Sequence, residues 1–180
     1  MNRKIATLFG MLLSFSMLMT SCKKDHNHDE EGELITTVKL NFEGGGETKT
    51  VTWKDADGDG GNQPVIESIS LKPNTTYNVS VEFLDESKNP VEDITEEIKE
   101  EDDDHEVFYV KSSGLGLTIT RLDKDSAGRD LGLLSTWVTT SNGTGSVQVV
   151  LKHKPGEKQL GDDVSKGETD IEVNFPISIN

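Results

Sequence analysis

The sequence predicts an all-β protein, an antiparallel sandwich of about seven to nine short strands with one short acidic helix inserted. Three observations predict it. From Leu34 onward, apolar residues recur at every second position, the period of a strand with one buried face. Clusters of Gly, Pro, Asn and Asp punctuate these runs, as turns require. Helical spacing is confined to one segment. A strand with one apolar face needs a second layer to cover it, and two facing sheets supply that layer. The 180 residues allow one such domain, placed at 33–180.

The elements follow in order. Val38, Leu40 and Phe42 alternate with Lys39 and Asn41. Gly44-Gly45-Gly46 breaks the run and permits a tight turn. Val51 and Trp53 continue, with Thr50, Thr52 and Lys54 opposite. Ile69 and Leu71 make a short run, and Tyr77, Val79, Val81 and Phe83 a long one. Val91, Ile94 and Ile98 are three and four apart among acids, which predicts a short amphipathic helix. Pro90 and the acids of the first turn suit its N-terminus. A strand is expected from Glu106 to Lys111, then runs at Leu115, Leu117 and Ile119 and at Val147, Val149 and Leu151. Ile171, Val173, Phe175, Ile177 and Ile179 close the chain. Short strands at this spacing make an immunoglobulin-like arrangement the expectation.

The N-terminus carries a different signal. Arg3 and Lys4 precede an apolar run from Ile5 to Met19, shorter than the about 20 residues of a membrane span. It fits the core of a secretory signal. Met19-Thr20-Ser21-Cys22 resembles a bacterial lipobox. That resemblance implies a signal peptide over 1–21 and lipid on Cys22, with thioether and amide-linked chains giving stable anchoring. Residues 22–32 hold Lys23, Lys24, His26, His28 and several acids without an apolar side chain, and read as a disordered acidic tether. Lysine followed by acids after the lipid cysteine resembles the export signal of surface lipoproteins in the Bacteroidota. The expected location is the outer membrane, on its periplasmic or cell-surface face.

Charge and cysteine count exclude several classes. A net charge of -15 with no basic stripe argues against nucleic acid. One cysteine excludes an intramolecular disulfide and any cysteine-based zinc site. No nucleophile elbow, phosphate loop or HExxH motif is present, so the expectation is a protein that is not an enzyme. A hydrolase would have to draw its base from His105 or His153.

Acids and histidines supply the candidate sites. Asp55, Asp57 and Asp59 alternate before Gly60, a pattern that gathers oxygens around calcium while turning tightly. The twelfth position is Ile66, so the loop is no EF-hand. An acidic hairpin loop accounts for the same residues. Asp123, Asp125 and Asp130 form a weaker copy. Asp125-Ser126-Ala127 resembles the O-glycosylation motif of the Bacteroidota, which makes Ser126 a candidate for modification. Acids crowd the segment from Glu92 to Glu106, a density that solvent, a cation or a basic partner would relieve. His105, Glu106 and His153 form a transition-metal candidate if their strands are neighbours. Surface histidines and solvated acids are the alternative.

Five stretches carry a family resemblance: Glu33–Val38, Thr52–Gly60, Glu92–Ile98, Leu151–Pro155 and Gly167–Ile171. Together they resemble a family of Bacteroidota lipoproteins of unknown function, often labelled as type 1 periplasmic binding fold proteins. That label denotes two α/β lobes, whereas length and periodicity here predict a sandwich. The resemblance implies a setting beside TonB-dependent outer-membrane receptors and carries no active site. The expected function is a non-enzymatic envelope lipoprotein that binds a ligand or partner, with a divalent metal such as calcium the expected ligand. The alternative is a structural or adhesive surface module without a small ligand.

Overall fold

The computed structural model describes residues 34–58 and 60–180. In chain order the strands are β1 (Thr37–Gly44), β2 (Glu47–Lys54), β3 (Val65–Ile66), β4 (Ile69–Leu71), β5 (Thr76–Asp85) and β6 (Glu92–Asp93). Helix α1 (Ile94–Glu100) follows, then β7 (His105–Lys111), β8 (Leu117–Arg121), β9 (Leu134–Thr139), β10 (Gly143–His153) and β11 (Glu168–Ile179). The fold is an all-β sandwich. A seven-stranded sheet runs β3-β2-β1-β5-β9-β8, with β6 paired to β5. A four-stranded sheet runs β4-β11-β10-β7. One pair, β4 with β11, is parallel and departs from the antiparallel expectation. The strand count exceeds the predicted range partly because β3 and β6, two residues each, are too short to show periodicity.

Alternation decides the core. From the larger sheet, Val38, Leu40, Tyr77, Phe83 and Trp137 are buried. They meet Val107, Val147, Val149, Val173 and Phe175 of the smaller sheet in one hydrophobic cluster. Trp137 sits edge-on to Phe42 and Tyr109, with ring centroids 5.3 and 5.7 Å away. Gly45 and Gly46, at φ +61° and +81°, link β1 to β2 in the left-handed turn that a two-residue hairpin needs.

Helix α1 is shorter than its apolar stripe predicts. Val91 lies outside it and is exposed, because Glu92 and Asp93 first pair with Leu84 and Asp85 of β5. Ile94 and Ile98 carry the buried face. Asp93 caps the first turn by accepting the Thr95 N–H at 3.1 Å, and Thr95 Oγ1 accepts the Phe83 N–H at 2.9 Å. Asp93→Ala is expected to cost about 1 kcal/mol, read as a lowered urea midpoint at unchanged slope. A midpoint equal to the parent's would show that the cap contributes nothing.

The exposed edge of β7 is closed by the chain between β8 and β9. The Val107 N–H donates to Leu131 O at 2.7 Å, and Tyr109 Oη donates to Gly132 O at 2.9 Å. Gly132 has φ +89°, and a Cβ there would collide with the Val107 carbonyl oxygen. Gly132→Ala therefore forces this strap off the edge of β7. Faster amide exchange at Val107 is the expected readout, and unchanged exchange would contradict the strap's role.

Candidate functional site

Three places hold chemistry-bearing side chains. The first is the outward face of the larger sheet. Register places Thr50, Asn41, Ser80 and Leu134 side by side on β2, β1, β5 and β9. Leu122 extends the row, since its N–H donates to Leu134 O at 2.8 Å. No member of this row is charged. Thr50 Oγ1 donates to Asn41 Oδ1 at 2.6 Å, and Asn41 Nδ2 donates to Glu82 Oε1 at 2.7 Å, so the row is held in place. It floors an open groove of about 830 Å³ whose other walls include Glu43, Thr48 and Asn78. Leu122 and Leu134 are 53% and 49% exposed, and Val138 faces outward four residues further along β9, between Thr76 and Thr118. An uncharged, partly apolar strip on a chain of net charge -15 has the composition of an interface centre, where charge is depleted.

The second place is the far end of the smaller sheet. His105 of β7 and His153 of β10 are register partners. Their rings stack, centroids 4.7 Å apart and 12° from parallel. Glu106 does not join them, because neighbouring residues of a strand point to opposite faces. Asp170 does. A bulge between Leu151 and Lys152 disturbs the β10–β11 register there, and bulges re-aim side chains. Asp170 Oδ2 lies 4.0 Å from His105 Nε2. This oxygen is buried and accepts no hydrogen bond from the described residues. Burial is the main cause that pushes the Asp170 carboxyl up to about 6, with Glu168 adding to it. Burial likewise lowers His105, against the Glu101 carbonyl that favours its protonation.

The third place is a buried charge network on the other side of β7. Glu106 accepts from Arg121 at 2.6 Å and from Lys154 at 2.7 Å. Asp125 accepts from Arg129 Nε at 2.6 Å and pairs with Lys158 at 3.2 Å. Asp130 pairs with Arg121 at 2.9 Å and with Lys124. Asp123 accepts the N–H groups of Gly132, Leu133 and Leu134, each at 3.0 Å. The acids of the weaker calcium-like copy are thus matched by protein donors and need no cation. Ser126 stands exposed on the turn closed by Gly128 N–H to Asp125 O, open to modification.

In the first calcium-type loop, Asp57 Oδ2 accepts both the backbone N–H of Asn62 at 3.0 Å and its side-chain amide at 2.6 Å. These bonds hold the Asp57 carboxyl below its ordinary value and make it a turn closer. Asp55 Oδ1 is buried without a hydrogen-bond partner among the described residues. Asp59 and Cys22 lie outside the described residues, as do the apolar run and the tether. Among the described residues no three His, Cys, Asp or Glu side chains are grouped to hold one ion. No described helix is long and apolar enough to cross a membrane. Comparison with known proteins finds no matching family model, no similar curated protein and no similar solved structure.

Proposed function

We propose that this chain is a non-enzymatic lipoprotein of the outer membrane, anchored through Cys22, whose β-sandwich is an interaction module for a protein partner. The observation that carries the reading is the uncharged row Thr50–Asn41–Ser80–Leu134–Leu122 across the larger sheet. A chain this acidic repels most surfaces of its own sign. A row that is itself uncharged and ends in two exposed leucines gives a partner contact at its centre, with the charges of Glu43, Lys49 and Glu82 kept to its borders. The charged groups elsewhere favour the same reading, since Glu106, Asp125 and Asp130 are matched within the fold by lysines and arginines. They brace the scaffold rather than wait for a substrate.

The resemblance to lipoproteins that accompany TonB-dependent receptors makes such a receptor the partner to test first. Leu134→Glu puts a charge into the centre of the strip on an exposed position, so the fold should survive it. Co-purification of the receptor with the lipoprotein from detergent-solubilised outer membranes is expected to fall at least about tenfold. Glu172→Lys, on the outer face of the smaller sheet, should leave it unchanged. Equal recovery with Leu134→Glu and parent would overturn the assignment of this face. Cys22→Ser should abolish incorporation of labelled palmitate into the protein, and undiminished labelling would overturn the anchor.

A further inference from the structure

We infer that His105, His153 and Asp170 form a binding site for one divalent transition-metal ion of the zinc type, at the end of the four-stranded sheet. The inference is independent of the docking face, which lies on the other sheet. It begins with the tautomer of His105. Nδ1 lies 3.2 Å from the Glu101 carbonyl oxygen. A carbonyl only accepts, so Nδ1 carries the hydrogen and the neutral ring presents a lone pair at Nε2. Metal-bound histidines are oriented in this way, with the second nitrogen donating to a carbonyl or carboxylate.

That lone pair faces Asp170 Oδ2 across 4.0 Å. The oxygen is buried and accepts no hydrogen bond among the described residues. Two acceptors therefore face each other with no donor between them, an arrangement that burial makes costly. A divalent cation satisfies both. Zinc binds nitrogen and carboxylate oxygen at about 2.0–2.2 Å, so closing the gap by about half an ångström seats one ion between them.

His153 supplies the third donor. Its ring lies nearly parallel to that of His105. Parallel rings aim their lone pairs along separate planes, which is why the three groups do not yet converge on one point. His153 ends β10 and is only half-buried. Binding therefore requires His153 to leave the stacked arrangement by rotation about its side-chain bonds, which would turn a nitrogen toward the ion. Two imidazoles and one carboxylate are a borderline donor set suited to zinc, with water in the fourth position.

The test uses the full-length lipoprotein in detergent, with His26→Ala and His28→Ala removing the imidazoles of the tether. Zinc is titrated calorimetrically, and cobalt(II) is followed by its visible absorption. The site predicts about one equivalent bound at micromolar affinity or tighter, with the intense visible bands of four-coordinate cobalt. Asp170→Asn keeps the shape of the side chain and should weaken zinc by about 10–100-fold, as should His153→Ala. Melting with and without zinc checks the same point: zinc raises Tm in the parent and leaves it unchanged in Asp170→Asn. Absence of stoichiometric binding would overturn the site. So would parental affinity in Asp170→Asn, or a lone proton shared by His105 and Asp170 with zinc-independent stability.

Discussion

Lys158→Ala is expected to destabilise the fold by about 3–5 kcal/mol, the cost of leaving a buried ion without its partner. The Lys158 side chain is fully buried, as is that of Asp125, its partner at 3.2 Å. Lys158 Nζ also donates to Asp102 O at 2.6 Å, and Lys158 O accepts from Arg129 at 2.7 Å. One side chain thus ties together the turn after α1, the loop between β8 and β9, and the loop between β10 and β11. Alanine deletes the bonds to Asp102 and Asp125 and leaves Arg129 as the one cation on the Asp125 carboxylate, beside the backbone N–H groups of Ala127 and Arg129. Urea unfolding of parent and variant checks this, and a loss below about 1 kcal/mol would mean the network is not a brace.

The same pair predicts an acid limb. Burial raises the Asp125 carboxyl, but the hydrogen bonds of Arg129 and Lys158 outweigh it and hold the group near about 2. A carboxyl depressed in the folded state contributes stability above its unfolded value. That contribution is lost as pH falls from about 4 toward about 2. In Lys158→Ala the limb should be smaller and end at higher pH, because one source of the depression is gone.

Asp170→Asn is expected to act in the opposite sense and stabilise the metal-free protein at neutral pH. The carboxyl is raised from 3.8 to about 6, chiefly by burial. A group raised in the folded state contributes stability that is fully present below its unfolded value and lost as pH rises through its folded one. Above pH 6 that contribution is absent, and a rise of this size corresponds to roughly 3 kcal/mol at most. The amide carries no charge to bury, and its N–H donor suits the lone pair of His105 Nε2. The stability gained should be largest above about pH 6 and shrink between about pH 6 and pH 4, where the native aspartic acid takes up its proton. Chemical denaturation of chelator-treated protein at pH 7.5 and pH 4.5 measures both ends. A variant less stable than the parent at pH 7.5 would contradict the burial of an unmatched carboxylate.

These residues mark how much of the molecule is legible from its residues. Strands such as β1, β5 and β11 announce themselves because one face is apolar and the other polar. Strand β9 does not, because its phase is inverted. Leu134 and Val138 face outward, while Ser135 and Thr139 face inward beside Trp137. Ser135 accepts the Trp137 indole N–H at 2.9 Å, and Thr139 bonds the Lys72 carbonyl at 2.6 Å, so hydroxyls fill a buried face. That inversion creates the exposed leucine strip, and it shows in the sequence only once the register with β5 is known.

The histidine pair was legible only as a condition, since nothing in the sequence makes the strands of His105 and His153 neighbours, and the register of β7 with β10 does. Glu106 was the wrong neighbour on simple alternation, which a period of two already forbids. Asp170 was hidden, because a bulge carries no signature in one sequence. The acid-rich segments misled for another reason. Composition counts charges, whereas Glu106, Asp125 and Asp130 are paired within the fold, with Arg121, Lys124 and Arg129 from the β8–β9 segment and with Lys154 and Lys158 from the chain after β10.

The central claim is that the outward face of the larger sheet meets a protein partner at the envelope. Site-specific photocrosslinking in intact cells tests it most directly, with a photoreactive residue placed at Ser80 in the groove or at Glu172 on the opposite sheet. The account predicts one discrete adduct with a TonB-dependent receptor from position 80 and none from position 172. No adduct from position 80, or the same adduct from both faces, would contradict it.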